Sequence, residues 1–217
     1  MFRILIVEDI RPTLDQLEKL LQEMIPATEV DGAETVDEAR QMLVFRDREG
    51  ETYDAAIVDF KLPMAPGENP EFDTTICDMV SERMPDALIV HITAYEDQKI
   101  VADHIRERHV RRPNLSMCLT KMEVGWPDQL VGRLRSFLYS RAIRQELDDL
   151  FGTSDWANGQ RGPAAGKARR KPTAHDLPDM MVRIAQCWDV LETPLQDDVK
   201  RVFNVKESRR GVRITLA

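Results

Sequence analysis

The chain has 217 residues, of which 42% are hydrophobic and 31% charged, with a formal net charge of −8. This is enough for one good-sized domain plus a smaller element, and it excludes global disorder. No apolar run approaches the roughly 20 residues of a membrane helix, and the three cysteines, Cys77, Cys118 and Cys187, are odd in number, scattered and without metal-type spacing, which excludes a disulfide framework and fits a reducing cytoplasm.

The N-terminal MFRILIVEDI runs from a β-branched apolar stretch, Phe2 to Val7, straight into Glu8 and Asp9. It has no small-residue cleavage site and reads as a first strand, not as a signal peptide. Residues 12–24 place Leu14, Leu17, Leu20, Leu21 and Met24 at helical spacing, with Pro12 in the first turn. A short strand is predicted over 28–32. A helix follows over 35–45, with Thr35 as cap and Glu38 three residues on. Ala55 to Val58 predicts a third strand, and 73–84 a helix that stops before Pro85. Ala87 to Ile92 is a fourth strand, 95–110 a polar helix and Leu115 to Thr120 a fifth strand. A long helix runs from Trp126 to about Leu150. Strands alternating with helices in this way call for a parallel sheet covered on both faces with right-handed crossovers.

Beyond residue 150 the composition changes. Residues 1–150 carry 18 basic and 30 acidic side chains, a balance of −12, and residues 151–217 carry 12 and 8, a balance of +4. Residues 151–176, rich in Gly, Ala, Pro, Lys and Arg, read as a flexible basic linker. Residues 177–217 regain helical pattern at Met180, Met181, Ile184, Trp188 and Leu191, then at Leu195, Val199, Val202 and Phe203, and GVRITLA closes the chain as a strand.

In a doubly wound parallel sheet the functional crevice lies beyond the carboxyl ends of the strands. Strand one ends in Glu8 and Asp9, strand three in Asp59, strand four in Thr93 and Ala94, and strand five in Thr120 and Lys121. Three carboxylates on one edge repel one another unless a cation neutralises them. Hard oxygen ligands with room for water suit Mg²⁺. A lysine ammonium, a threonine hydroxyl and a backbone N–H, that of Ala94, then suit phosphate oxygens. The set fits a site where Asp59 attacks a phosphoryl group.

The motifs ILIVED, IVDFKLP, HITA and LTK, in that order and each closing a strand, resemble the receiver domain of two-component response regulators over roughly residues 2–140. The resemblance implies a five-stranded, parallel, doubly wound α/β domain of flavodoxin-like type. Here it would span 1–150 with an extended last helix, followed by the linker and a small, mostly helical output or docking element over 177–217. It further implies that Asp59 takes its phosphoryl group from a histidine kinase or phosphotransfer protein. Mg²⁺ would be held by Glu8, Asp9, Asp59 and the carbonyl of Lys61, and the phosphoryl oxygens by Thr93 and Lys121. Such a protein is a cytoplasmic phosphoacceptor and not an enzyme with a separate substrate. Two positions depart from the family. Met122 stands where proline usually follows the lysine; a cis bond there would cost about 2.5–4 kcal/mol, which predicts a trans bond and a displaced Lys121. Cys118 stands where an aromatic switch residue is common. Tyr95 either shields the site and slows hydrolysis or, the preferred reading, packs on the neighbouring helix.

Three further segments carry expectations. MAPGENPEFD, 64–73, is either a lid or a surface insertion, and RERHVRRP, 106–113, a basic helix end that is solvated or steers an acidic partner. On the long helix, Ile143, Leu147 and Leu150 leave the first domain and need another surface, either a second copy or the C-terminal element. Residues 195–214, with Arg209, Arg210 and Arg213, vaguely resemble a helix-turn-helix. The output therefore stands between a docking element for a downstream protein partner and a DNA-binding tail, with a degenerate, phosphorylation-independent receiver as a third reading.

Overall fold

The computed structural model describes residues 1–95, 98–111, 115–151 and 176–216. It divides into two compact units, Met1–Leu134 and Arg135–Ala217.

The first unit is built on β1 (Phe2–Val7), α1 (Arg11–Met24), β2 (Thr28–Ala33), α2 (Val36–Arg48) and β3 (Ala55–Asp59). Two short strands follow, β4 (Lys61–Leu62) and β5 (Glu71–Phe72), then α3 (Thr75–Arg83), β6 (Leu88–Thr93), α4 (Lys99–Arg111), β7 (Ser116–Thr120) and α5 (Trp126–Phe151). The sheet has the order β2-β1-β3-β6-β7 and is parallel throughout. It is the five-stranded, doubly wound, flavodoxin-like arrangement expected from the alternation of strands and helices. The chain winds outward from β1 to β2 in one direction and from β3 through β6 to β7 in the other. The switch point therefore lies between β1 and β3, where a crevice opens beyond the strand ends.

Local chemistry sets the element boundaries. Pro12 sits in the first turn of α1, and Leu14, Leu17 and Leu21 are buried along one helical stripe. The Thr35 hydroxyl accepts a hydrogen bond from the Glu38 N–H at 3.1 Å, and the Glu38 carboxylate accepts one from the Glu34 N–H at 2.8 Å, so α2 starts where the capping residues predict. Leu5, Val7, Ala56, Val58 and Ile89 of the sheet form one continuous core with Val36, Ala39 and Leu43 of α2 and Ile76, Cys77 and Val80 of α3.

The segment 64–73 is tied down on both sides and is not a free lid. β4 and β5 pair antiparallel, with Lys61 opposite Phe72 and Leu62 opposite Glu71. The carbonyls of Pro63 and Met64 accept the Val36 and Asp37 N–H groups, each at 3.0 Å, and so satisfy donors that the first turn of a helix leaves without intrahelical partners. The basic end of α4 is solvated at Arg106 and Arg111 but not at Arg108. Arg108 is buried and bonds to Asp78 and Ser81 of α3, and Arg106 and Arg111 pair with Asp103 and Glu107 on their own helix. The remainder of RERHVRRP, residues 112–113, lies outside the described residues.

The second unit contains the end of α5, α6 (Asp176–Cys187), a 3₁₀ turn at Trp188–Val190, α7 (Thr193–Val202), β8 (Phe203–Ser208) and β9 (Gly211–Leu216). Its core joins Ile143 and Leu147 of α5 to Met180 and Ile184 of α6, Trp188, Leu191, Leu195 and Val199 of α7, Phe203 and Ile214. Of the two surfaces open to the end of α5, the C-terminal element is the one that covers it, so these positions do not call for a second copy. The helix-turn-helix reading of 195–214 is corrected. Only α7 is helical there, and β8 and β9 form an antiparallel hairpin whose turn is closed by Gly211 at φ +117, a conformation that favours glycine. β-branched Val205, Val212 and Ile214 supply the strand preference that outweighs a second helix. The basic linker expected over 151–176 lies outside the described residues except for its ends, Phe151 and Asp176.

Candidate functional site

Because all five strands of the main sheet run parallel, their carboxyl ends share one edge. Val7 pairs with Val58, Asp59 with Ile92 and Thr93 with Thr120, so the residues that close these strands are neighbours. Glu8 and Asp9 follow β1, Asp59 ends β3, Thr93 ends β6 with Ala94 next, and Lys121 follows β7. Glu8 is 0% exposed, Asp59 5%, Thr93 0%; Asp9 is half-buried and Ala94 exposed.

The Lys121 ammonium donates to Glu8 Oε2 at 2.5 Å and to Asp59 Oδ2 at 2.6 Å. Its own N–H donates to the Thr93 carbonyl at 2.7 Å, which fixes the start of the loop after β7. All described peptide bonds are trans, as the Met122 position predicts, and Lys121 reaches both Glu8 and Asp59. Asp59 Oδ1 accepts the Lys61 N–H at 3.2 Å, and Thr93 Oγ1 accepts the Tyr95 N–H at 2.9 Å.

At Glu8 and Asp9 the electrostatics oppose folding and favour a cation. Burial raises the Glu8 carboxyl above its ordinary range, against the pull of Lys121, and the charges of Asp59 and Asp9 push the same way. Burial first and the Asp59 charge second raise Asp9 as well. Burial works against the Lys121 ammonium, but Asp59 and Glu8 outweigh it and hold the lysine above its usual value. Carboxylate oxygens of Glu8, Asp9 and Asp59 lie within 4.8 Å of one another, and Glu8 Oε1 is buried without a hydrogen-bond partner. Three carboxylates against one ammonium leave two negative charges, and a buried oxygen is left unsatisfied. A divalent cation that prefers oxygen and keeps part of its water shell, such as Mg²⁺, fits this donor set.

The rim of the site contains a contact that the sequence does not announce. The Tyr95 ring meets Phe72 of β5 edge-on, centroids 5.8 Å apart, and the Lys61 ammonium lies 5.1 Å from the Tyr95 ring centroid. Tyr95 thus packs on the β4–β5 insertion. Cys118, at the position where an aromatic is common, is a half-buried residue of β7.

The chain is similar to response regulator receiver domains. A receiver domain protein from Clostridium thermocellum has 17% identity over 66% of this chain and 98% of its own, with a TM-score of 0.47. A CheY-like receiver domain protein from Methanospirillum hungatei has 21% identity over 62% and 91%, with a TM-score of 0.47. A response regulator receiver protein from Sinorhizobium medicae has 19% identity over 64% and 96%, with a TM-score of 0.47. No family model matches the chain, and no curated protein matches it. The fold is read from the sheet order of this chain itself. No described helix is long and apolar enough to cross a membrane.

Proposed function

We propose that the protein is a response regulator that accepts a phosphoryl group on Asp59 in a Mg²⁺-dependent reaction and passes the change to a downstream protein. The observation that carries this reading is the convergence of Glu8, Asp9, Asp59, Thr93 and Lys121 on one edge, with Lys121 spanning Glu8 and Asp59. Glu8, Asp9, Asp59 and the Lys61 carbonyl would hold the ion. When bound it supplies charge neutralisation between the carboxylates and an incoming phosphoryl group. One Asp59 oxygen attacks phosphorus as the bond from phosphorus to the donor nitrogen of a histidine kinase or phosphotransfer protein breaks, and the donor imidazole leaves with its electron pair. Lys121 shifts from the Asp59 carboxylate to a phosphoryl oxygen, and the Thr93 hydroxyl and Ala94 N–H take others. The new charge on Asp59 then biases an equilibrium between two arrangements of this edge. The protein acts as phosphoacceptor, at most catalysing its own phosphorylation and dephosphorylation, in the cytoplasm.

Intact mass after incubation with Mg²⁺ and a small-molecule phosphodonor tests the reading. The expected result is a gain of about 80 Da, the mass of one phosphoryl group, in the wild type and none in Asp59→Asn. No adduct with the donor, nor with any partner kinase supplied in its place, would favour a degenerate receiver.

A second output reading has one observation in its favour. Lys206 stands directly opposite Arg213 on the exposed face of the hairpin, with Arg209 and Arg210 in its turn. Like charges opposite one another cost stability, and a nucleic-acid phosphate would relieve that cost. Binding of duplex DNA that falls steeply between 50 and 200 mM salt is expected if the hairpin docks on DNA; no binding at the lower salt leaves the protein-partner output alone.

A further inference from the structure

Behind the acidic edge lies a second cluster of ligand-type side chains that the phosphoacceptor chemistry does not use. Cys77 projects from α3, His91 from β6 and His104 from α4. One donor atom of each lies within 4.8 Å of the others. The Cys77 sulfur is 3.6 Å from His91 Nδ1. His91 is 0% exposed, and Nε2 of both His91 and His104 is buried without a hydrogen-bond partner. A buried polar atom without a partner destabilises the fold, so a purely structural histidine pair is a poor way to fill this space.

We propose that Cys77, His91 and His104 form a binding site for a borderline-soft divalent metal ion, with Zn²⁺ the expected occupant. One thiolate and two neutral imidazoles are the donor types that zinc takes, and hard cations such as Mg²⁺ do not favour them. Tetrahedral zinc with its usual bond lengths separates adjacent ligands by about 3.3–3.6 Å. The observed spread, 3.6 Å from the Cys77 sulfur to His91 Nδ1 and within 4.8 Å over the set, needs only a modest contraction on binding. Three protein ligands leave a fourth position for water.

The surroundings fit a preformed site. Phe60 stacks on His91 with ring centroids 4.6 Å apart and meets His104 edge-on at 5.3 Å, and the two imidazoles are T-shaped at 5.2 Å. These contacts pack both rings against Phe60 and against each other. Burial pushes the His91 imidazole down to about 3, so it stays neutral and able to ligate, and burial also lowers His104. Burial pushes the Cys77 thiol up to about 12, with Arg108 favouring and Asp73 opposing the thiolate. Binding is therefore an exchange: the Cys77 S–H bond breaks, its proton goes to solvent, and a sulfur–metal bond forms. The ion would link α3, β6 and α4 directly behind the phosphoacceptor edge, because Phe60 follows Asp59 and His91 precedes Thr93 by two residues. The proposal does not depend on Asp59 chemistry.

Titration of the full chain with Co²⁺ under reducing conditions tests it, since a thiolate bound to Co²⁺ gives a near-ultraviolet charge-transfer band that oxygen ligands do not. The expected result is a band that saturates at one ion per chain, is bleached by Zn²⁺, persists in Asp59→Asn and disappears in Cys77→Ala. His104→Gln, at a half-buried position that tolerates the change better, is expected to weaken binding by more than about tenfold and decides the matter should Cys77→Ala not fold. No thiolate band at saturating Co²⁺, or an undiminished band in either folded variant, would overturn the site.

Discussion

At the scale of single residues, the acidic edge opposes the stability of the fold that displays it. Asp9 faces the negative charge of Asp59, and both burial and that charge raise its carboxyl above the ordinary range. A raised carboxyl means that the folded chain binds protons more readily than the unfolded one, so this contribution to stability is gained as pH falls through the raised value and is absent at neutral pH. Asp9→Asn removes the charge at every pH. Without divalent ions it is expected to raise the unfolding free energy, on the order of 1 kcal/mol for a partly exposed charge pair. Mg²⁺ is expected to stabilise the wild type by mass action and Asp9→Asn much less. Chemical denaturation with and without Mg²⁺ measures both, and a variant less stable than wild type without the ion would show that the site carries no such repulsion.

At the scale of elements, what was legible followed from local pattern, and what was not depended on contacts distant in sequence. The five strands of the main sheet and their flanking helices could be read because apolar runs of strand length alternate with helical periodicity. Asp59 and Lys121 could be placed because each closes such a run. Thr35 announced α2 through its spacing to Glu38, and the structure bears this out in the bond from the Glu38 N–H. The β4–β5 pairing was not legible, because two strands of two residues each have no period to read. Nor was Arg108: its helical neighbours suggest a solvated helix end, and only α3 alongside supplies Asp78 and Ser81. Cys77, His91 and His104 lie 14 and 13 residues apart on three different elements, a spacing that no local ligand motif describes, and only the parallel crossovers bring them together. In the second unit, the arginines of 209–213 pointed to a recognition helix, whereas the β-branched residues around them fold as a hairpin.

At the scale of the whole molecule, α5 belongs to both units: Leu130 and Leu134 are buried within the first and Ile143 and Leu147 within the core of the second. Where the chain can be cut follows from this. Removing residues 152–217 leaves the strands, the acidic edge and Lys121 intact, so the product is expected to fold and to accept phosphate on Asp59 as the full chain does. It also uncovers Ile143 and Leu147, 4% and 0% exposed in the full chain. Exposing a buried Leu or Ile side chain costs about 1.5–3 kcal/mol, and a helix with an apolar stripe recovers that cost by pairing with another copy. The truncated chain is therefore expected to self-associate in a concentration-dependent way in sedimentation experiments, and adding Ile143→Glu and Leu147→Glu to it should restore the monomer. A truncated chain that stays monomeric with its α5 helicity intact would mean that the C-terminal element is not what the end of α5 needs. One that fails to take phosphate where the full chain succeeds would mean that the acidic edge depends on residues beyond 151.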